Sequence, residues 1–143
     1  MALEFGRTIE APRATVFQAF TDPDALADWW GPEGFAIPSL EFPAREGEAY
    51  RIEMSPPEGD PFFLVGEFRE VSPPKRLVFT FVWEEPDPDD VEMCAELGFD
   101  DLGDSTRVTL RQTPFKTEAR LELHRAGWGD SFDKLEAFLR RSV

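Results

Sequence analysis

The side chains able to carry out chemistry are few in this chain of 143 residues, which contains one histidine, His124, and one cysteine, Cys94. A single histidine excludes a metal site that needs two. Ser131 lies seven positions after His124, about 10 Å away along a helix. No Gly-x-Ser-x-Gly segment is present, so a serine triad has no local basis. We therefore expect no catalytic residue, no metal ion and no cofactor.

His124 has two interpretations, because it precedes Trp128 by one helical turn on an apolar stripe. It is either a hydrogen-bond donor at the edge of a pocket or a helix-flank histidine paired with water or a carboxylate. Cys94 has the acidic neighbours Glu92 and Glu96, whose charges raise the pKa of a thiol and disfavour a nucleophile. We expect both residues to be chemically dispensable.

The charge of the chain is strongly negative, with 29 acidic against 15 basic residues and a net charge of −14. Such a domain repels phosphate groups, which disfavours nucleic acid and anionic membrane surfaces as partners. The segment 84–104 holds ten acidic residues and no Lys or Arg, without the ligand spacing of a calcium loop. We expect a solvated, self-repelling hairpin end; the functional alternative is an acidic rim that attracts a cationic ligand or a basic partner.

Large rings are numerous in the chain, with 14 phenylalanines and four tryptophans. They form either a ring-rich core or the wall of a cavity. In the segment ALADWWGPEGF, residues 25–35, Trp29 and Trp30 are adjacent, and adjacent helical side chains diverge by about 100°. Trp29 continues the apolar face of Ala25 and Leu26. We therefore expect Trp29 to anchor a short helix and Trp30 to close one end of a cavity.

The predicted cavity wall consists of inward-facing rings and apolar side chains from the sheet and the last helix. Tyr50 and the tryptophan ring nitrogens are the polar groups expected to orient a ligand. Gly127 and Gly129 flank Trp128 and favour a close approach of helix to sheet, with extra space for a ligand as the alternative. The side chains expected to line the cavity are Trp30, Tyr50, Met54, Phe81, Trp83, Met93, Leu97, His124, Trp128 and Phe132.

Strands and helices must position these side chains, and the spacing of apolar residues along the sequence indicates where those elements lie. Apolar alternation of Leu3, Phe5 and Ile9 predicts a first strand in the segment 3–12, and two short helices follow, one that begins at Pro12 and one capped by Asp22-Pro23. Apolar steps of three and four predict a long amphipathic helix over 116–141. Further strands are predicted in the segments 34–42, 48–54, 62–71, 76–83, 91–99 and 106–112.

This order predicts an α+β fold in one domain spanning residues 1–143. A curved antiparallel sheet of about six to seven strands wraps on the long C-terminal helix, with two short helices after the first strand. No apolar run is long enough to insert into a membrane. The single cysteine and an N-terminus unlike a signal peptide favour a cytoplasmic location.

Four segments carry a family resemblance: RTIEAPRATVFQAFTDPDALADWWGPEGF, VGEFREVSPPKRLVFTFVWE, STRVTL and EARLELHRAGWGDSFDKLEAFL. They resemble the START-like (SRPBCC) superfamily, in the branch named after the activator of the heat-shock protein 90 ATPase. The resemblance implies a helix-grip fold with a hydrophobic cavity between the long helix and the sheet. It does not imply one activity, because the superfamily includes carriers, receptors, enzymes and chaperone activators.

Three functions are compatible with these observations. The favoured one is a binding module that holds an apolar or aromatic, lipid-like small molecule in the cavity. The alternative is a protein–protein adaptor, as the chaperone-activator name implies, and an exposed apolar patch outside the cavity would favour it. A cyclase- or hydrolase-like enzyme is the least favoured function, because it needs an acid–base pair inside the cavity and the chain has one histidine.

Overall fold

Seven strands and three helices follow one another in the order that the sequence predicts. The computed structural model describes residues 1–141, so the last two positions of the expected 1–143 domain lie outside the described residues. The elements are β1 (Leu3–Ile9), α1 (Arg13–Thr21), α2 (Pro23–Trp29), β2 (Leu40–Glu41), β3 (Ala49–Met54), β4 (Phe62–Ser72), β5 (Arg76–Trp83), β6 (Met93–Asp101), β7 (Thr106–Thr113) and α3 (Glu118–Arg141).

All neighbouring strands of the sheet are antiparallel, in the order β1-β7-β6-β5-β4-β3-β2. Every second side chain of β7 from Thr106 to Gln112 is buried, which is the period of two expected for a half-buried strand. A register shift between Phe68 and Glu70 marks a β-bulge in β4, and bulges bend strands. The predicted α+β helix-grip fold is confirmed.

The strand predicted over 34–42 is mostly absent, and that prediction was wrong. Only Leu40–Glu41 form β2, and Ala36 adds one isolated bridge to Ser55. Pro38 and Pro43 flank β2 and have no N–H group to donate to a ladder. The segment therefore forms only a short edge strand, and its other residues lie outside the sheet apart from the single bridge of Ala36.

The short helix α2 begins as the sequence predicts. The Asp22 carboxylate accepts a hydrogen bond from the Asp24 N–H at 3.0 Å, with Pro23 in the first helical position. A helix of seven residues is too short to be stable in isolation. Its position must therefore come from its contacts with α1 and α3.

The long helix α3 covers the sheet with one apolar face. The buried residues of this face recur at steps of three and four: Leu121, His124, Trp128, Ser131, Phe132, Leu135 and Leu139. Arg7 of β1 ties the helix to the sheet, because its Nη1 lies 2.5 Å from Asp133 Oδ1 and 3.5 Å from Glu136 Oε1. No described helix combines the length and the hydropathy needed to cross a membrane.

Gly66 of β4 and Gly129 of α3 differ in how closely other atoms approach them, and substituting each tests that difference. A Cβ atom at Gly66 would lie 2.1 Å from the Thr80 carbonyl oxygen and 2.7 Å from Tyr50 Cε2, whereas one at Gly129 meets nothing within 4 Å. We expect Gly66→Ala to lower the free energy of unfolding by about 3 kcal/mol, because backbone must move. Gly129→Ala should raise it by about 0.5–1 kcal/mol, because alanine favours a helix.

Urea unfolding followed by tryptophan fluorescence measures both changes. A Gly66→Ala variant as stable as the parent protein would contradict the close contact between β4 and β5.

Candidate functional site

A cavity of about 410 Å³ lies between α3 and the ends of β3, β4 and β5, and the segment after α2 closes one side. Phe62 and Leu123 line it and are also exposed to solvent, so they mark its open side. The other apolar side chains of the wall are Trp30, Pro32, Phe35, Met54, Phe63, Phe81, Trp83 and Trp128. The polar and charged ones are Glu85, Asp87, Asp90, Arg120, His124 and Ser131.

The strand period brings the rings of the wall together. Phe81 and Trp83 are two residues apart on β5 and therefore face the same side of the sheet. Met54 of β3 is directly opposite Phe62 of β4. The Trp83 ring packs edge to face on both Phe rings, with centroids 5.3 Å from Phe81 and 5.4 Å from Phe62. The sheet side of the cavity is thus a continuous aromatic surface.

The two adjacent tryptophan rings contact each other, with centroids 5.8 Å apart, but their other neighbours differ. Trp29 is fully buried, packs on Phe20 at 4.7 Å, and its Nε1 donates a hydrogen bond to the Ala19 carbonyl at 3.0 Å. Trp30 instead lies on the cavity wall and packs edge to face on Trp128 at 5.3 Å. Trp29 therefore attaches α2 to α1, and Trp30 forms the end of the cavity.

The turn after Trp30 is held against α3 by hydrogen bonds. Gly31 has a φ of +92°, which glycine adopts without strain. The buried Ser131 hydroxyl accepts from the Gly31 N–H at 3.0 Å and donates to the Gly31 carbonyl at 3.1 Å. Lys134 Nζ donates to the carbonyls of Trp30 and Pro32 at 3.3 and 3.2 Å. These bonds satisfy buried backbone groups of the turn that follows α2.

A buried amide fixes the Trp128 ring from the opposite side. Trp128 Nε1 donates to Gln112 Oε1 at 2.8 Å, and Gln112 Nε2 is 3.4 Å from Met93 Sδ. Gln112 is fully buried on β7. The ring nitrogen is therefore used inside the core and does not point to the cavity as a free donor.

Gly127 leaves space beside Trp128. A Cβ atom at Gly127 would meet only Pro32 Cγ, at an ordinary contact distance of 3.7 Å, and one at Gly129 would meet nothing within 4 Å. The expected close approach of helix to sheet was therefore wrong at both positions. Gly127 borders the cavity, and a large side chain there would enter it.

His124 is buried on the cavity wall with one ring nitrogen paired. Its Nδ1 lies 2.8 Å from the Arg120 carbonyl oxygen, and because a carbonyl only accepts, Nδ1 carries the proton. Burial lowers the pKa of the imidazole, against smaller opposing effects of this hydrogen bond and of the Asp90 carboxylate. The ring is therefore neutral at neutral pH, and its Nε2 is an acceptor to which no described residue donates.

The acidic connection between β5 and β6 reaches α3. Arg120 Nη2 lies 2.7 Å from Asp87 Oδ2, and Lys116 Nζ donates to the Pro88 carbonyl at 2.8 Å. The Asp90 side chain is only 6% exposed, and its Oδ2 accepts from the Asp87 N–H at 2.9 Å. The expected solvated end holds for residues 84–89, which are exposed, but it was wrong for the buried Asp90 side chain. Two cations from outside the segment, Arg120 and Lys116, also contact it.

The described residues offer neither an activated nucleophile nor a metal centre. The Ser131 hydroxyl is engaged by Gly31. Burial and, less strongly, Glu96 raise the pKa of the Cys94 thiol, and Cys94 is not on the cavity wall. No group of three or more His, Cys, Asp or Glu side chains within residues 1–141 is arranged to hold a metal ion. The arrangement is suited to holding a molecule by contact and hydrogen bonding.

Six of the ten side chains expected to line a cavity are on its wall: Trp30, Met54, Phe81, Trp83, His124 and Trp128. The other four are almost fully buried elsewhere in the core: Tyr50, Met93, Leu97 and Phe132. The Tyr50 hydroxyl, expected to orient a ligand, donates to the Thr80 carbonyl at 2.6 Å. Phe132 packs on Phe5 at 5.2 Å.

Sequence reasoning missed a second stripe of α3. Arg120 and Leu123 lie at helical steps from His124 and Gly127, so they border the apolar stripe on one side, and Ser131 is a polar member of the stripe itself. Widening the predicted stripe by one position would have identified Arg120 and Leu123. Phe35 and the acidic wall residues lie in connections, where no period exists to indicate their direction.

The comparisons with known proteins agree with this architecture. The family described as Activator of Hsp90 ATPase homolog 1-like protein matches residues 10–140. Among solved structures, a protein from Chromobacterium violaceum is 29% identical with a TM-score of 0.87, over 95% of this chain and 94% of that one. The AHSA1 protein from Silicibacter pomeroyi is 25% identical with a TM-score of 0.88, over 100% of both chains. No curated protein gives a significant match.

The different positions of the two tryptophans lead to a testable difference. We expect Trp29→Ala to lower the free energy of unfolding by about 3–5 kcal/mol, because a buried ring leaves a void. Trp30→Ala should cost less, because one side of its ring already borders open space, and it should change the binding of the apolar dye Nile red. Urea unfolding and dye titration of both variants measure this. Equal destabilisation with unchanged dye binding would contradict the assignment.

Proposed function

Because the chain belongs to the family described as Activator of Hsp90 ATPase homolog 1-like protein, we propose that it uses the family's helix-grip fold as a small-molecule binding module. The cavity between α3 and the sheet holds the apolar or aromatic body of the ligand. The location that we propose is the cytoplasm, in keeping with a single cysteine.

The ring-lined cavity is the observation that supports this proposal. Its volume of about 410 Å³ lies within the range of roughly 300–1,000 Å³ typical of small-molecule sites. Its wall combines many apolar side chains with a few polar ones, which is also typical of such sites. Burial of the ligand's apolar surface supplies the binding energy, at about 25 cal/mol per Å².

The wall is held in shape before any ligand arrives. Trp128 is fixed by Gln112, and the turn after Trp30 is fixed by Ser131 and Lys134. Binding to a preformed site loses less side-chain freedom than binding that must order the site. Less of the gain from burying the ligand is therefore offset by ordering the wall.

A protein–protein adaptor remains the alternative function, and it requires an apolar patch outside the cavity. The exposed large hydrophobic side chains of the described part of the chain are Met1, Phe62, Leu102 and Leu123. Two of them, Phe62 and Leu123, line the cavity. Their exposure is therefore better suited to admitting an apolar molecule than to forming a separate docking surface.

Two glycines of α3 allow the same substitution to be made inside the cavity in one variant and outside it in a control. The change in helix propensity is then the same in both. We expect Gly127→Leu to weaken Nile red binding by about tenfold or more, because the new side chain occupies the site and removes buried ligand contact. Gly129→Leu is the matched control, because it adds the same side chain where nothing lies within 4 Å of a Cβ atom. Dye titration measures the dissociation constants, and urea unfolding verifies that both variants are folded. Equal dye binding by the two variants would contradict the proposed cavity.

A further inference from the structure

Two buried acceptor atoms on side chains of the cavity wall have no hydrogen-bond partner among the described residues. His124 is 8% exposed, and its Nε2 is an acceptor because Nδ1 donates to the Arg120 carbonyl. The Asp90 side chain is 6% exposed. Neither His124 Nε2 nor Asp90 Oδ1 has a hydrogen-bond partner among residues 1–141. Both residues line the same cavity.

The charge of the wall adds a second, independent indication. Three carboxylates, Glu85, Asp87 and Asp90, line the cavity against one guanidinium, Arg120. That guanidinium forms its short contact, 2.7 Å, with Asp87, and lies 3.7 Å from Asp90 Oδ1, beyond hydrogen-bond distance. The negative charge of the wall is therefore only partly balanced by the residues that line it.

We propose that the ligand of this cavity carries a protonated amine on an aromatic body, and that the amine donates hydrogen bonds to His124 Nε2 and Asp90 Oδ1. This inference rests on the proposed binding function and adds the chemical class of the ligand. An ammonium group has only donors, so it complements two acceptors. Hydrogen bonds to a carboxylate from a charged donor are also stronger than neutral ones.

The remaining wall suits the other half of such a molecule. The edge-to-face rings of Phe62, Phe81 and Trp83 form one side and Trp30 with Trp128 another. Offset and edge-on contacts between rings add to the gain from burial. A carboxylate or phosphate on the ligand would meet like charge at Asp90 and an acceptor at His124. The Arg120 guanidinium on the same wall is already paired with Asp87, so the geometry disfavours anions.

The test compares three probes that share a naphthalene body: naphthylethylamine, ethylnaphthalene and naphthylacetate. Calorimetric titration at neutral pH measures their dissociation constants. We expect the amine to bind about tenfold or more tightly than ethylnaphthalene, as charge-assisted hydrogen bonds allow, and the acetate to bind most weakly. If ethylnaphthalene binds and the amine binds no better, water bridges the two acceptors equally well and the inference is overturned.

Two variants assign any preference to the two acceptors. Asp90→Asn removes the charge and places an amide donor that can pair with His124, and His124→Phe replaces the imidazole with an apolar ring. Each should abolish most of the preference for the amine, measured as the ratio of the ethylnaphthalene and amine dissociation constants of the same variant, so that a change of the wall that affects both probes cancels. Asp89→Asn is the matched control, because Asp89 is exposed and its substitution removes the same charge from the same connection.

The outcomes separate this inference from the function on which it rests. An amine preference that survives in both Asp90→Asn and His124→Phe, or is lost equally in Asp89→Asn, overturns the assignment to these acceptors. If neither ethylnaphthalene nor Nile red binds the parent protein, the proposed binding function fails and the ligand class fails with it.

Discussion

The pairing of Ser131 with Gly31 is the interaction on which the shape of the cavity depends. At the end of α2 the backbone leaves the helix, and Gly31 turns it with a φ of +92°. Both polar backbone groups of Gly31 are satisfied by one buried hydroxyl of α3. Removing that hydroxyl would leave two buried groups unpaired, at about 1–3 kcal/mol each. The pairing therefore fixes Trp30 against Trp128 and sets where the helix and the sheet separate.

The sequence predicts the fold well because the strands and helices follow from the repeat of apolar residues along the chain. It predicts the cavity less well because the cavity depends on where the surfaces of the helix and the sheet move apart. Alternation places Tyr50 and Phe81 on the same inward face, and helical steps place Trp128 and Phe132 on one stripe. Nothing in that pattern distinguishes the part of the face that meets a neighbour from the part that does not. Gly66 makes the difference for Tyr50, because its missing side chain lets that ring lie against β4.

The acidic connection shows a second limit of local reasoning. Counting charges along 84–104 predicts repulsion and a solvated end, since the window holds no basic residue. The balancing cation, Arg120, comes from another element and reaches Asp87 across 33 positions of sequence. Packing against α3 then buries the Asp90 side chain, which a solvated loop would have left in water. Charge patterning therefore indicated the exposure of residues 84–89 correctly, but it could not indicate the burial of Asp90, because the contacting cation lies outside the window.

The two unpaired acceptors would give the cavity a selectivity that its apolar wall cannot supply. An apolar pocket discriminates poorly among molecules of similar size, by about 1–3 kcal/mol for a methylene group. A site with buried polar groups rejects an analogue that lacks the matching donor far more strongly, because the analogue leaves those groups unpaired. The apolar wall, which the fold itself builds, would then set the size of the ligand. His124 and Asp90, from the first turns of α3 and from a connection, would set its chemistry, and relatives with the same fold could bind different molecules by changing these two positions alone.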